Sequence, residues 1–292
     1  GAINPPEFEK CLLSWITALH DITDGQVVAI DGKTLRGSFD AASSKAPIHM
    51  VSAWATANHI SLGQVVTDAK SNEITAIPKL LEMLEIKGCL ITIDAMGCQR
   101  KIAQTIINAE ADYVLAVKEN QRKLYQAIRD YYTEHLEDDC RSIPCRRHET
   151  HEKGHGRQDD RYYYMAKLPD DFPLKEKWPG LKAIGLAVRN TEHTNGKHSD
   201  DVRYYIASRY LSGKKFATAS RDHWGIENSL HWQLDVTFGE DQSRIRKGHA
   251  DTNFSLLRRT SLSLLKNNKT KKIGVKNKRL SAAWNDDYRL QV

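Results

Sequence analysis

The stretch Gly88-Cys89-Leu90-Ile91-Thr92-Ile93-Asp94-Ala95-Met96-Gly97 decides the fold of this chain, because it is a short apolar run that ends in a carboxylate and a glycine. A run of this length and β-branched content predicts a buried strand. Asp94 then follows the strand at the point where open α/β sheets bind their ligands. An ordinary alternative is that Asp94 caps the helix predicted from Arg100 to Ala109.

A second unit of the same design lies earlier in the chain, at Gln26-Val27-Val28-Ala29-Ile30-Asp31-Gly32-Lys33. The segments 49–56 and 61–66, separated by a short polar turn, predict two further strands and complete an antiparallel meander. After the meander we expect, in order, the helix 73–84, the strand before Asp94, the helix 100–109, the strand 113–117 and the helix 121–136. This order predicts the α/β, RNase H-like fold, a mixed sheet flanked by helices, in which the strands of Asp31 and Asp94 are neighbours.

The rest of the pattern divides the chain into three parts. Residues 1–139 form the first part of the RNase H-like core, with an N-terminal helix over 6–20. Residues 140–212 predict a β-rich insertion, because short aromatic and β-branched runs at 161–165, 183–188 and 202–207 are separated by polar loops. Residues 213–292 supply a helix over 214–234, the second part of the core and a basic C-terminal tail.

Composition narrows the function classes. The chain has 292 residues and a net charge of +6, and the segment 241–280 alone holds twelve Lys or Arg against two Asp. Such a basic patch predicts a polyanionic partner, most often nucleic acid, although a solvated basic tail is the ordinary alternative. The five scattered cysteines argue against a disulfide scaffold and for a reducing compartment, and no apolar run is long enough for a membrane helix.

Two neighbouring aspartates predict a metal site. Hard carboxylate oxygens select Mg²⁺ or Mn²⁺, and a pair of such ions can clamp the attacking and leaving oxygens of a phosphoryl transfer. A third acidic ligand is expected, and Glu227 is the first candidate, because it precedes Leu230 and Leu234 at helical spacing and should face inward beside them. Its rivals are Asp235, Glu240 and Asp241.

Zinc is a weaker alternative at two places. His223, Glu227 and His231 share one predicted helix face. Imidazoles are typical ligands of zinc, whereas phosphoryl transfer with paired aspartates favours Mg²⁺. We therefore expect the two histidines to contact phosphate or to support the metal ligands. The run Cys140, Cys145, His148 and His151 has irregular spacing and flanking arginines that would oppose a cation. We expect a flexible basic loop there.

Polar and cationic residues that follow strand ends or begin helices are expected to surround the metal pair and bind the DNA backbone. These are Lys33, Arg36, Lys70, Asn72, Lys118, Asn120 and Gln121, together with Arg157 in His155-Gly156-Arg157. Each one alone is more often a solvated surface residue. Trp224 and Trp232 could stack on an unpaired base, but tryptophans on an amphipathic helix are usually core residues.

The motifs resemble those of DDE transposases of bacterial insertion sequences, in the group of H-repeat-associated, Rhs-linked proteins. They are Ala29-Ile30-Asp31-Gly32-Lys33-Thr34-Leu35-Arg36-Gly37-Ser38, Lys70-Ser71-Asn72-Glu73-Ile74, Thr92-Ile93-Asp94-Ala95-Met96-Gly97, Lys118-Glu119-Asn120-Gln121, His155-Gly156-Arg157 and His223-Trp224-Gly225-Ile226-Glu227-Asn228 through Arg244 and Arg246. The resemblance implies a catalytic, metal-binding triad of Asp31, Asp94 and Glu227 with Mg²⁺ or Mn²⁺. It also implies cleavage of transposon ends with strand transfer, a homodimer on DNA, and a cytoplasmic, nucleoid-associated bacterial protein.

The sequence departs from the family pattern at two places. Related transposases commonly carry a Tyr, Arg, Glu, Lys signature on the last catalytic helix, whereas here His223 and Leu234 occupy the Arg and Lys positions. Arg221, Arg244 and Arg246 are the candidates to grip phosphate instead. Members of the group also generally carry an additional segment ahead of the first helix, whereas this sequence starts almost at that helix. The alternative function is therefore a DNA nuclease or a non-catalytic DNA-binding remnant of a transposase.

Overall fold

The structure is a computed structural model that describes residues 2–19, 25–38, 47–67, 73–154 and 156–292. The chain divides into two compact units. The first unit holds residues 1–89 and 223–292, and the second holds residues 90–222. Each unit has its own sheet strands and helices.

The first unit begins with α1 (Pro5–Leu19), followed by β1 (Val27–Leu35), β2 (Ile48–Ala55), β3 (Ile60–Val66) and α2 (Glu73–Glu82). β1 pairs antiparallel with β2, and β2 with β3, so the predicted three-strand meander is confirmed. The C-terminal part of this unit adds α7 (Ala250–Asn267), α8 (Val275–Trp284) and α9 (Asp286–Gln291).

The long helix predicted over 214–234 is interrupted. α5 (Gly213–Ile226) runs into a π-helical segment, Glu227–His231, which continues as α6 (Trp232–Val236). Hydrogen bonding in a π turn includes one residue more than in an α turn, and such turns occur mostly as single bulges inside α-helices, frequently at functional sites. Hydrophobic periodicity alone does not reveal a one-residue bulge.

The core of the first unit shows which face of this helix is buried. Ile226, Leu230 and Leu234 are fully buried and pack with Ala29, Trp54 and Leu262. Glu227 is exposed. The expectation that Glu227 faces inward beside Leu230 and Leu234 is therefore wrong, because the apolar residue at the start of that buried stripe is Ile226, one position earlier.

The second unit contains β4 (Leu90–Ile93), α3 (Arg100–Asn108), β5 (Asp112–Val117) and α4 (Arg122–His135), followed by four long strands. These strands are β6 (Cys145–Gly154), β7 (Arg157–Lys167), β8 (Ala183–His193) and β9 (His198–Ala207). β4 and β5 are parallel, whereas β5 pairs antiparallel with β9, and the order within this unit is β4-β5-β9-β8-β7-β6. The β-rich segment thus extends the sheet of β5.

One segment of the insertion differs from its prediction. The run from Cys145 to His151, expected to be a flexible basic loop, is part of β6 and pairs with β7 from Cys145 opposite Ala166 to Gly154 opposite Arg157. β6 is the outer strand of this unit's sheet, where charged side chains are common because they protect an exposed edge. The charged composition of β6 lacks the apolar alternation that predicts a strand.

The α/β class is confirmed, with a mixed sheet flanked by helices, and the order of elements is the one predicted for an RNase H-like core. Among the described residues, no helix is both long enough and apolar enough to cross a membrane.

Candidate active site

Asp31 lies within β1, opposite Ser52 of β2. Its Oδ1 atom accepts a hydrogen bond of 2.9 Å from the backbone N–H of Gly32. Its Oδ2 atom lies 3.4 Å from Nδ1 of His231, and the two side chains are only 18% and 12% exposed. The first candidate ligand is therefore a partly buried carboxylate with a polar contact at each oxygen.

Gly32 is a glycine because two side chains pass over it. A Cβ atom at this position would lie 2.7 Å from Nε2 of His49 and still closer to the Glu73 carboxylate. Nε2 of His49 is hydrogen-bonded to Oε1 of Glu73 at 2.6 Å, and Nδ1 of His49 lies 2.9 Å from the Thr34 hydroxyl oxygen. The start of α2 is thereby attached to the strand beside Asp31.

Lys33 was expected to face DNA, but its ammonium is bound by carboxylates. The side chain is 8% exposed and contacts Asp235, Glu240 at 3.1 Å and Asp241 at 3.9 Å. These three acids were the rivals of Glu227 for the third ligand position. Their side chains surround a lysine, which gives them a charge partner within the protein.

Glu240 also binds the cation of α7. Its Oε1 atom lies 3.2 Å from the fully buried guanidinium of Arg259 and accepts a hydrogen bond of 2.7 Å from Ser255. Burial raises the pKa of the Glu240 carboxyl, but Arg259 and Lys33 outweigh burial and hold this pKa below its usual value. Glu240 is therefore ionised and holds together β1, the loop after α6, and α7.

His231 is neutral in this environment. Burial, together with the nearby cations Arg259 and Lys33, lowers the pKa of its imidazole to about 3. Its Nε2 atom is buried and has no hydrogen-bond partner among the described residues. Sequence reasoning did not foresee its contact with Asp31, although the spacing of His231 and Asp235 by four and of Asp31 and Lys33 by two was visible.

Asp94 follows β4 in the second unit, and the loop after it is tightly held. Its Oδ1 atom accepts hydrogen bonds from the N–H groups of Met96 at 3.0 Å and Gly97 at 3.2 Å. The side-chain amides of Asn120 and Gln121 donate to the carbonyls of Ala95 at 2.6 Å and Cys98 at 3.0 Å. Both amides were expected at DNA, and both organise the loop of this aspartate.

Glu227, the third candidate ligand, begins the π-helical segment and is exposed. The two tryptophans near it are also on the surface: Trp224 is 42% exposed and Trp232 is 53% exposed. Their expected place in the core is therefore wrong, because the buried stripe of this helix is already formed by Ile226, Leu230 and Leu234.

The remaining predicted DNA-contacting residues have varied surroundings. Lys118 and Arg244 are exposed, and His223 is partly buried. Arg36 is 84% exposed and its Nε lies 3.9 Å from Asp241. The Nε atom of Arg157 lies 3.2 Å from Asp159, and that of Arg246 donates to the carbonyl of Gly37 at 3.1 Å. Lys70, Asn72 and His155 lie outside the described residues.

The donor chemistry of the candidate ligands fits a hard divalent cation, since all three are carboxylates. Neither Asp31 nor Asp94 is fully buried, and Glu227 is exposed. No group of three or more His, Cys, Asp or Glu side chains within the described part of the chain is arranged to hold a metal ion. This applies also to the cysteine and histidine run near β6.

A comparison of the sequence with known families shows the family of this chain. Residues 22–264 match the family described as Transposase DDE domain. The chain belongs to the DDE transposase family. This confirms the resemblance seen in the motifs, and a DDE transposase domain generally implies a divalent metal cofactor.

Relatives within the DDE transposase family cover most of the chain. "Putative transposase YncI" of Escherichia coli O157:H7 is 45% identical over 284 residues, which span 96% of this chain and 72% of that protein. "H repeat-associated putative transposase YhhI" of Escherichia coli (strain K12) is 41% identical over 299 residues, which span 100% of this chain and 78% of that protein. The chain is thus similar to H-repeat-associated members of the family.

Among solved structures, a piggyBac transposase synaptic complex with hairpin DNA is similar with a TM-score of 0.45 and 11% sequence identity. The similarity covers 92% of this chain and 55% of that chain. At this distance it carries no information about the site.

Proposed function

We propose that this member of the DDE transposase family is a DNA transposase that cleaves transposon ends and joins them to target DNA by metal-dependent phosphoryl transfer. The observation that carries the proposal is the family match over residues 22–264, which encloses Asp31, Asp94 and Glu227. The local structure supports it, because Asp31 and Asp94 both accept backbone hydrogen bonds that fix their orientation.

The proposed roles follow from the surroundings of each residue. Asp31, Asp94 and Glu227 would hold two Mg²⁺ or Mn²⁺ ions through carboxylate oxygens, and the bound ions would lower the pKa of the attacking hydroxyl and offset charge on the phosphate. The loop after Asp94, held by Asn120 and Gln121, keeps that carboxylate in one place before DNA arrives. Preformed geometry of this kind reduces the reorganisation needed in the transition state.

DNA binding is assigned to cations that remain on the surface. Arg36, Lys118 and Arg244 are exposed and can contact phosphate oxygens, which contributes affinity without sequence preference. The exposed rings of Trp224 and Trp232 can stack on an unpaired base near a cleaved end. A homodimer on paired transposon ends, in a bacterial cytoplasm and associated with the nucleoid, completes the proposal.

The triad is tested by Asp31→Asn, Asp94→Asn and Glu227→Gln in the full chain. DNA carrying the transposon ends that flank the gene is incubated with Mg²⁺, and cleavage and strand transfer are measured separately. Each substitution removes one carboxylate charge with little change in shape, so we expect both activities to fall by about a hundredfold to a thousandfold, as for the loss of a group that stabilises transition-state charge. Exposed carboxylates away from the triad give the matched controls Asp171→Asn and Glu85→Gln, which should retain activity.

The outcomes separate the alternatives. Wild-type activity in any of the three triad variants contradicts the assignment of that residue. Cleavage by the wild-type chain without joining would indicate a nuclease. Salt-sensitive DNA binding without Mg²⁺-dependent cleavage would indicate a DNA-binding remnant.

A further inference from the structure

Two residues on one face of β1 meet two residues on one face of the helix. Side chains of a strand alternate between faces, so Asp31 and Lys33 point to the same side of β1. Residues four apart on a helix lie one above the other, and His231 and Asp235 have this spacing. The contacts match in order: His231 Nδ1 lies 3.4 Å from Asp31 Oδ2, and Asp235 binds the Lys33 ammonium.

We propose that His231 is a positioning residue for the first metal ligand: its Nδ1–H group donates a hydrogen bond to Oδ2 of Asp31 and fixes the plane of that carboxylate. The Lys33–Asp235 ion pair beside it sets the register of the helix on β1. The proposal rests on the proposed function, because it assigns Asp31 to the metal.

The chemistry of the contact requires a proton on one particular nitrogen of the ring. An ionised carboxylate can only accept hydrogen bonds, so the ring nitrogen that faces it must carry a proton. The proton must therefore be on Nδ1, which faces Asp31. The other nitrogen, Nε2, is buried and finds no hydrogen-bond partner among the described residues, so the ring is held by this contact and by packing.

The carboxylate is then held at both ends. Oδ1 accepts from the N–H of Gly32 at 2.9 Å, and Oδ2 lies 3.4 Å from Nδ1 of His231. A carboxylate offers about four lone-pair positions, so two hydrogen bonds do not prevent it from binding a cation. Groups that orient a metal ligand in this way typically change metal affinity or activity by about 10- to 100-fold when they are removed.

The π-helical segment links this contact to the third candidate ligand. Glu227 is the first residue of the segment and His231 is the last. The same five residues therefore expose Glu227, one proposed metal ligand, to solvent and place His231 against Asp31, another proposed ligand. This placement favours a role of His231 in the site over a role in the core alone.

Two isosteric substitutions distinguish the two ring nitrogens. In His231→Asn the amide nitrogen takes the place of Nδ1 and keeps the donor to Asp31, whereas in His231→Gln it takes the place of Nε2 and the donor is lost. Mn²⁺ is the probe, and its affinity for the DNA-free full chain is measured by the loss of the free-ion electron paramagnetic resonance signal. Thermal unfolding without metal checks that both variants are folded.

We expect Mn²⁺ affinity to fall by about tenfold or more in His231→Gln and to stay within about threefold of wild type in His231→Asn. The Mg²⁺ concentration for half-maximal cleavage should rise in the same order. Equal affinities in wild type and both variants would overturn the proposal, and so would equal losses in both, because the ring and not its Nδ1 donor would then matter.

A second measurement does not depend on metal. Nitrogen-15 spectra of the metal-free chain should show a proton on Nδ1 of His231, and an unprotonated Nδ1 would contradict the proposal. Asp31→Asn separates this inference from the function on which it rests. If Asp31→Asn leaves Mn²⁺ binding and cleavage unchanged, the proposed function fails. If it abolishes both while His231→Gln behaves as wild type, only the role of His231 fails.

Discussion

Nζ of Lys33 lies 3.1 Å from Oε2 of Glu240, and both side chains are buried. Lys33 is two positions along β1 from Asp31. The carboxylate of Glu240 is shared with Arg259, which is fully buried. A charge cluster of this kind contributes little net stability while it is complete, but removing one partner leaves the others uncompensated.

We therefore expect Glu240→Gln to lower the free energy of unfolding by about 3 kcal/mol, since Arg259 then lacks the carboxylate that balances its charge. Urea unfolding at neutral pH measures the change. The exposed Glu85→Gln is the matched control and should differ from wild type by less than about 0.5 kcal/mol. A loss below about 1 kcal/mol in Glu240→Gln would show that Arg259 has another compensating group.

Gly37→Ala tests the close approach of two backbone segments. A Cβ atom on Gly37 would lie 2.7 Å from the carbonyl oxygen of Asp241 and closer still to that of Ser243. Backbone cannot move aside as a side chain can, so we expect a loss of about 1–3 kcal/mol in urea unfolding. The loop that lies against Gly37 also carries Arg244 and Arg246, so we expect Gly37→Ala to weaken DNA binding as well.

The control for Gly37→Ala has the opposite expected sign. Gly225 lies in α5, and an added Cβ there meets no atom within 4 Å. Gly225→Ala should stabilise the protein by up to about 1 kcal/mol, because alanine favours a helix interior. If both variants change stability in the same direction, the steric argument for Gly37 is wrong.

Glu9 predicts a pH dependence. Burial raises the pKa of this carboxyl to about 7, against the opposing effects of the Gln64 N–H and Arg259. The folded state therefore binds the proton more tightly than the unfolded chain does. The resulting stability is fully present below the unfolded pKa, near 4.5, and is lost as the pH rises through about 7.

Glu9→Gln removes this ionisation and keeps an acceptor for the Gln64 N–H. We expect the variant to exceed wild type in stability by up to about 3 kcal/mol at pH 8 and to match it near pH 4. Urea unfolding at a series of pH values measures the difference. A difference that stays constant with pH would contradict the raised pKa.

Asp159 in β7 predicts the opposite dependence in the second unit. Burial raises the pKa of its carboxyl, but hydrogen bonds from Thr191 at 2.7 Å and Arg189 at 2.8 Å, with the charge of Arg161, outweigh burial and bring the pKa to about 2. Here the unfolded chain binds the proton more tightly. The stability is present above about pH 4 and is lost as the pH falls through 2.

Asp159→Asn should therefore cost about 2 kcal/mol near pH 6, and its deficit relative to wild type should shrink below pH 4. Urea unfolding of both proteins from pH 6 to pH 3 gives the comparison. Asp171→Asn, which changes an exposed carboxylate, is the control. A deficit that persists unchanged at pH 3 would indicate lost packing and not lost charge pairing.

Much of the fold was predictable because it depends on local periodicity. The strands before Asp31 and Asp94 and the helices between them follow from apolar runs and turn residues, and the structure has them at nearly the same bounds. β6 was missed because an edge strand rich in Arg, His and Glu lacks the apolar alternation on which strand prediction depends.

The surroundings of the site depended on contacts distant in sequence. Lys33 resembles a phosphate-binding residue until Glu240, more than two hundred positions later, is seen beside it. His231 was placed on the correct helix, but its contact with Asp31 depends on how that helix lies on β1. Neither contact follows from spacing alone, because spacing defines faces of elements and not the partners of those faces.

The π-helical segment Glu227–His231 differs from a regular α-helix by one residue. A π turn holds one residue more than an α turn, so it accommodates a single inserted residue while Ile226 on one side and Leu234 on the other keep their buried places. Deleting one residue between Glu227 and His231 would restore a regular α-helix and keep Ile226 and Leu234 on one face, because about seven residues make two turns. A single codon therefore separates the π-helical form of this segment from a regular α-helix.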